Sequence, residues 1–169
     1  MASGIAAIFF ALKGNTEWAC GFVLVGVLSD GLDGKAARWL GQESLFGRRF
    51  DSTADFVSFG LAPAIMFYLA STSITPFKTT VAALFVFCAA YRLARFHRLT
   101  KNQPVSRIAT FLGLPTTASA LFFTLAKLAL PGPWFEHHSV WLMLVLAALM
   151  VSRIPFHRPR QFRLQNSVR

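Results

Sequence analysis

Four of the chain's seven acidic residues, Asp30, Asp33, Asp51 and Asp55, fall within a 26-residue window that has apolar sequence on both sides. Carboxylates gathered in a low-dielectric region lose hydration and repel one another, so such a cluster requires a positive partner. Oxygen-only donor sets suit hard divalent cations, and a pair of Mg²⁺, Mn²⁺ or Ca²⁺ ions is the simplest partner. Residues three or four apart share a helix face, which makes Asp30 a neighbour of Asp33, and Asp51 a neighbour of Asp55. If the two segments are antiparallel about a turn near Gln42–Glu43, Asp30 comes level with Asp55 and Asp33 with Asp51. Arg38 adds a fixed cation able to contact a phosphate or pair with a carboxylate. The plainer alternative is a structural ion network with Arg38, Arg48 and Arg49. Against it, acids inside apolar helices are functional by default, and four together exceed what structural pairing needs.

The elements that must position these acids are apolar helices. The chain has 169 residues, 54% hydrophobic, with 18 Phe and only 14% charged, against roughly 25% charged in a soluble domain. The expected fold is all-α: a polytopic membrane protein of six transmembrane helices, near 1–12, 17–37, 48–71, 78–97, 111–130 and 139–154. Crossing the hydrocarbon core takes about 20 residues. The first run, apolar only over Ala2–Leu12, falls short, so a partial span or a late chain start is expected. The N-terminus lacks a basic region and an evident cleavage site, so no cleaved leader is expected. Residues 1–154 form the membrane domain in this reading, and 155–169 a basic cytoplasmic tail.

The net charge of +10 does not point to nucleic acid, because of where it lies. The connection between spans 2 and 3 holds Lys35, Arg38, Arg48 and Arg49. The next one on the same side holds Arg92, Arg95, Arg98, Lys101 and Arg107, and the tail Arg153, Arg158, Arg160, Arg163 and Arg169. Only Lys13, Lys78 and Lys127 fall on the other side. Fourteen against three is a strong positive-inside bias, which puts the Asp cluster at the cytoplasmic face. The basic tail would lie against anionic headgroups. Cys20 and Cys88, inside apolar runs, read as small buried hydrophobes. His137, His138 and His157 read as lying in connections or the tail, and Trp134 and Trp141 as belt residues at the outer interface. Gly60 and Pro63 predict a bend or close packing in span 3.

The whole window is more specific than its acids alone. It runs Asp30-x-x-Asp33-Gly34-x-x-Ala37-Arg38, eight residues, Gly47, three residues, Asp51, three residues, Asp55. In every fixed position and spacing it resembles the signature of the CDP-alcohol phosphotransferase family. Asp51-Ser-Thr-Ala-Asp-Phe-Val-Ser-Phe-Gly-Leu-Ala-Pro63, Arg92-Leu-Ala-Arg-Phe96, Gly113-Leu-Pro115 and Met150-Val-Ser-Arg-Ile-Pro155 look like its phosphatidylserine-forming branch. The Pro-Asn start usual in the family's first span has no counterpart here.

The resemblance implies transfer of a phosphatidyl group from CDP-diacylglycerol to L-serine, with release of CMP, in the cytoplasmic (inner) membrane. It implies that Asp30, Asp33, Asp51 and Asp55 hold two divalent ions and that Asp55 is also the general base. It matches Gly34, Ala37, Arg38 and Gly47 to positions associated with the CDP moiety, and it implies a homodimer. Paired metals suit a pyrophosphate whose leaving group gains charge, and a serine hydroxyl needs a base to become a nucleophile. No Ser-His or Cys-His pair stands at suggestive spacing, which favours direct displacement. A carboxylate partner for serine is needed, and Arg92 and Arg95, at i and i+3, are the candidates; topology anchoring is their other reading. Ser58 could touch serine or bond back to its own helix. The rivals are the same reaction with glycerol phosphate, inositol phosphate or choline, a divalent-cation transporter, and a catalytically dead lipid-binding relative.

Overall fold

Apolar runs punctuated by Gly, Pro and short polar stretches fold as six helices in a computed structural model that describes residues 2–40, 52–100, 110–152 and 155–157. They are α1 (Ala2–Leu12), α2 (Thr16–Leu40), α3 (Ser52–Ala70), α4 (Thr75–Thr100), α5 (Thr116–Ala129) and α6 (Gly132–Val151). Two- to four-residue turns join α1 to α2, α3 to α4, and α5 to α6, and links that short force antiparallel neighbours. The three turns therefore share one end of the bundle, and the longer connections share the other.

Three helices are long and apolar enough to cross a membrane: Ser52–Ala70, Thr75–Phe96 and Gly132–Val151. Helix α2 is long enough but carries Asp30, Asp33, Lys35 and Arg38 in its second half. Helices α1 and α5 are apolar but short; the 11 residues of α1 span about 16 Å against a hydrocarbon core of about 30 Å. The protein is thus helical and membrane-embedded in character. To the helices it adds one short antiparallel ribbon, Thr110–Leu112 (β1) against Pro155–His157 (β2), with Phe111 opposite Phe156. The first residues of the expected tail are thereby strand.

Helix α6 begins seven residues earlier than the polar look of Glu136, His137 and His138 predicts, and both histidines lie within it. Pro131 precedes the helix and Pro133 sits in its first turn, where a missing N–H does no harm. His138 stacks on Trp134, with 4.3 Å between ring centroids, and its Nδ1 lies 2.9 Å from the Trp134 carbonyl oxygen.

The core is aromatic and sulfur-rich, with Phe59, Phe67, Phe85, Phe123, Phe135, Met66, Met143 and Met150 almost wholly enclosed. Phe10 stacks on Phe22 to tie α1 to α2, and Phe123 meets Phe135 edge-on to tie α5 to α6. The outward faces stay apolar: Leu28 and Leu32 on α2, Phe87 on α4 and Trp141 on α6 are largely exposed. A bundle that is apolar inside and out matches lipid rather than water as its solvent.

Helix α3 is not uniform. Phe56–Leu61 winds as a π-helix, and the Ala62 N–H donates to the Val57 carbonyl, five residues back. Pro63 explains this: it has no N–H, and its ring crowds the carbonyl four residues earlier. Widening the preceding turn removes that conflict. Gly60 permits the close packing expected of it, since a Cβ there would stand 3.3 Å from the Ala89 Cβ of α4.

Candidate active site

The described part of the acidic cluster is carried by α2 and the start of α3, which meet at the π segment. Asp30 and Asp55 are both half-buried, and both make polar contacts. Asp33, Gly34, Ala37 and Arg38 occupy the last two turns of α2. Asp51 and Gly47 lie outside the described residues, so the convergence of all four acids remains an expectation from topology. Asp55 immediately precedes the π segment, a helix irregularity often found at functional sites. The wider turn rotates the residues after Asp55 about the helix axis relative to a regular α-helix.

Ser58 is buried, 4% exposed, and faces α1. A Cβ added to Gly4 would lie 2.7 Å from the Ser58 Cα. Helix α1, though short, thus roofs the π segment.

The buried face of α4 runs Val81, Phe85, Cys88, Ala89 and then Arg92. An inward apolar stripe therefore ends in a guanidinium that is only 9% exposed. A buried cation needs neutral acceptors or an anion nearby. Arg92 Nη1 donates to Thr116 Oγ1 at 3.2 Å. The charge of Asp55 attracts Arg92 and that of Arg95 opposes it. The Arg92–Thr116 hydrogen bond thus links α4 and α5 at the end of the bundle that carries the acids.

Arg95 is half-buried and turned toward α6, where its Nη1 donates to the Val151 carbonyl at 3.4 Å. The last carbonyls of a helix have no partners within it and welcome a cation. Leu149 O takes the Leu114 N–H at 3.1 Å and the Ser152 hydroxyl at 2.7 Å. Gly113 makes this seam possible. Its φ is +84°, and a Cβ would stand 2.6 Å from Met150 O and 2.8 Å from Ser152 O. The Gly113–Pro115 turn is thereby sewn to the end of α6 and delivers Thr116 to the first turn of α5.

At the opposite end, Lys13 lies over the Phe9 ring, Lys78 over Tyr68 and Lys127 over Phe135. These are the three cations on the sparse side of the charge asymmetry, each held against an aromatic face.

Sequence reading placed Arg92 and Arg95 together but missed their different surroundings, and it missed Thr116. The i, i+4, i+7 series Phe85, Ala89, Arg92 was the available signal that Arg92 points inward. Thr116 had no local signal, because its partner is 24 residues away.

Residues 1–152 match the CDP-alcohol phosphatidyltransferase family. The chain is 34% identical over 165 residues to a CDP-diacylglycerol–serine O-phosphatidyltransferase of Mycobacterium leprae, covering 92% of this chain and 54% of that protein. It is 35% identical over 158 residues to an archaetidylserine synthase of Methanothermobacter thermautotrophicus, covering 92% and 65%. It is 36% identical over 160 residues to a CDP-diacylglycerol–serine O-phosphatidyltransferase of Helicobacter pylori strain J99, covering 90% and 66%. The chain thus spans about half to two thirds of the length of these relatives.

Proposed function

The chain belongs to the CDP-alcohol phosphatidyltransferase family, and from that premise we propose that it moves a phosphatidyl group from CDP-diacylglycerol to L-serine, forming phosphatidylserine and releasing CMP. The observation that carries this reading is the intact window from Asp30 to Asp55, whose described residues lie on α2 and α3 inside the matched region. The names of the relatives favour serine as the acceptor.

Asp30 and Asp55 are half-buried carboxylates on touching helices, an oxygen-donor arrangement that fits hard divalent cations. With Asp33 and Asp51 they would hold two such ions, Mg²⁺ or Mn²⁺ by donor chemistry and Ca²⁺ as a third candidate. The chemistry supplied is neutralisation of pyrophosphate charge. Asp55 takes the proton of the serine hydroxyl, making it a nucleophile. The hydroxyl oxygen attacks the phosphorus of the phosphatidyl group in line with the leaving CMP, without a covalent enzyme intermediate. Gly34, Ala37 and Gly47 leave room for the CDP moiety to approach the backbone, and Arg38 meets its phosphates. Arg92 receives the serine carboxylate. Arg95, already donating to Val151, is the second candidate for that carboxylate, and Ser58 is a candidate contact to serine.

All six helices are embedded in this reading, within the inner membrane, as a homodimer, with the acids facing the cytoplasm. The fourteen-to-three distribution of basic residues supports that orientation. The donor's acyl chains remain in the bilayer while serine and CMP exchange with the cytosol.

The test uses the purified full chain with CDP-diacylglycerol, labelled serine, a metal titration and Asp55→Asn as control. Metal-dependent CMP release matched by labelled phosphatidylserine, and lost in the variant, is the expected result. Preferential incorporation of glycerol phosphate, inositol phosphate or choline would reassign the acceptor. Ion flux in liposomes without CMP release would move the protein to the transporter class.

A further inference from the structure

Threonines inside helices ordinarily direct their hydroxyl to the carbonyl four residues back. Thr79 does so to Thr75, Thr80 to Pro76 and Thr124 to Ala120, all at 2.7–2.8 Å. Thr116 stands in the first turn of α5, where the residue four back, Leu112, belongs to a strand. Its side chain crosses instead to another helix, and its oxygen accepts from Arg92 Nη1. The residue is 1% exposed, and its own carbonyl is held by the Ser119 hydroxyl at 2.8 Å. The turn before it is fixed by the Leu114 N–H on Leu149 O. Thr116 is therefore a rigid acceptor.

A guanidinium presents five N–H groups in one plane. Holding one nitrogen sets the direction of the remaining edge. A neutral hydroxyl does this without cancelling the charge, whereas a carboxylate would fix and neutralise at once. We propose that Thr116 is a positioning residue, whose hydroxyl orients the Arg92 guanidinium so that its free edge receives the carboxylate of the acceptor amino acid. This rests on the reading of Arg92 as that carboxylate's partner.

The experiment measures serine and CDP-diacylglycerol KM values and kcat for the full chain in membranes, comparing the parent with Thr116→Val, Thr116→Ser and Arg92→Ala. Thr116→Val keeps the shape and removes the acceptor. It should raise the serine KM about tenfold, the scale of one hydrogen bond to a charged group, with the CDP-diacylglycerol KM within about twofold of the parent. Thr116→Ser should restore the serine KM to within about twofold. An unchanged serine KM in Thr116→Val, or a parallel fall in all parameters, overturns the proposal. If Thr116→Val does not accumulate, Thr116→Ser carries the test, and a serine KM raised more than about threefold overturns it. An Arg92→Ala variant with unaltered serine KM overturns the carboxylate reading and the proposal with it. A raised KM in Arg92→Ala alone overturns only the role of Thr116.

Discussion

Gly4 of α1 lies against the backbone of Ser58 in α3, so closely that a methyl group on Gly4 would stand 2.7 Å from the Ser58 Cα. Ser58 belongs to the π segment that begins directly after Asp55, so this contact couples the first helix to the acidic end of the third. Gly4→Ala should destabilise the protein by about 1–3 kcal/mol, the usual range for overpacking. The readout is the Tm of detergent-solubilised protein, with Gly21→Ala as control. Gly21 has open space around it, and alanine there should be neutral or slightly stabilising.

Asp55→Asn preserves size and removes the proposed base. Proton transfer by a positioned side chain contributes roughly 10²–10⁴-fold, so kcat for CMP release should fall by at least about a hundredfold. Protein yield and Tm should hold near the parent values. A variant retaining most of its kcat would remove Asp55 from the mechanism.

Arg92→Ala and Arg95→Ala should part company. Arg92 is buried and held by Thr116, and its loss should raise the serine KM some tens of fold, as expected for a hydrogen-bonded charge worth roughly 1.5–3 kcal/mol. Arg95 caps α6 through Val151, and its removal should chiefly lower Tm. Steady-state kinetics with serine and lipid varied in turn separates the two effects.

Gly113→Ala should cost more stability than Gly14→Ala. Both glycines have positive φ, so both substitutions incur backbone strain of about 1–2 kcal/mol. Only at Gly113 would the new carbon also meet the Met150 and Ser152 carbonyls and the Arg95 guanidinium. Thermal unfolding of the pair isolates that close approach.

Chelation of divalent metals should abolish CMP release, and readdition of Mg²⁺ or Mn²⁺ should restore it. The assay is CMP formation from CDP-diacylglycerol before and after dialysis against chelator. Full activity in metal-free buffer would contradict the assignment of Asp30, Asp33, Asp51 and Asp55 as cation ligands.

The helices were legible because apolar runs interrupted by Gly, Pro and charge leave few alternatives. The start of α6 was not, because Glu136, His137 and His138 look like a polar connection; their helix is set by Pro131 and Pro133 just before them. Gly60 and Pro63 announced an irregularity in α3 without revealing its kind, since a bend and a widened turn both answer a missing N–H. The pairing of Thr110–Leu112 with Pro155–His157 joins segments more than forty residues apart and leaves no periodic trace. The acid window was legible from spacing, and of it the structure describes the half-buried Asp30 and Asp55. The different surroundings of Arg92 and Arg95 depend on what α5 and α6 bring to them, and no local pattern encodes that.

The turns at 13–15, 71–74 and 130–131 leave the chain no slack at that pole of the bundle. Inserted sequence, whether acquired by evolution or added as a reporter, would have to displace helix ends there, while the opposite pole has connections long enough to absorb it. New sequence is therefore accommodated more easily at the pole that carries Asp30 and Asp55 than at the pole of short turns.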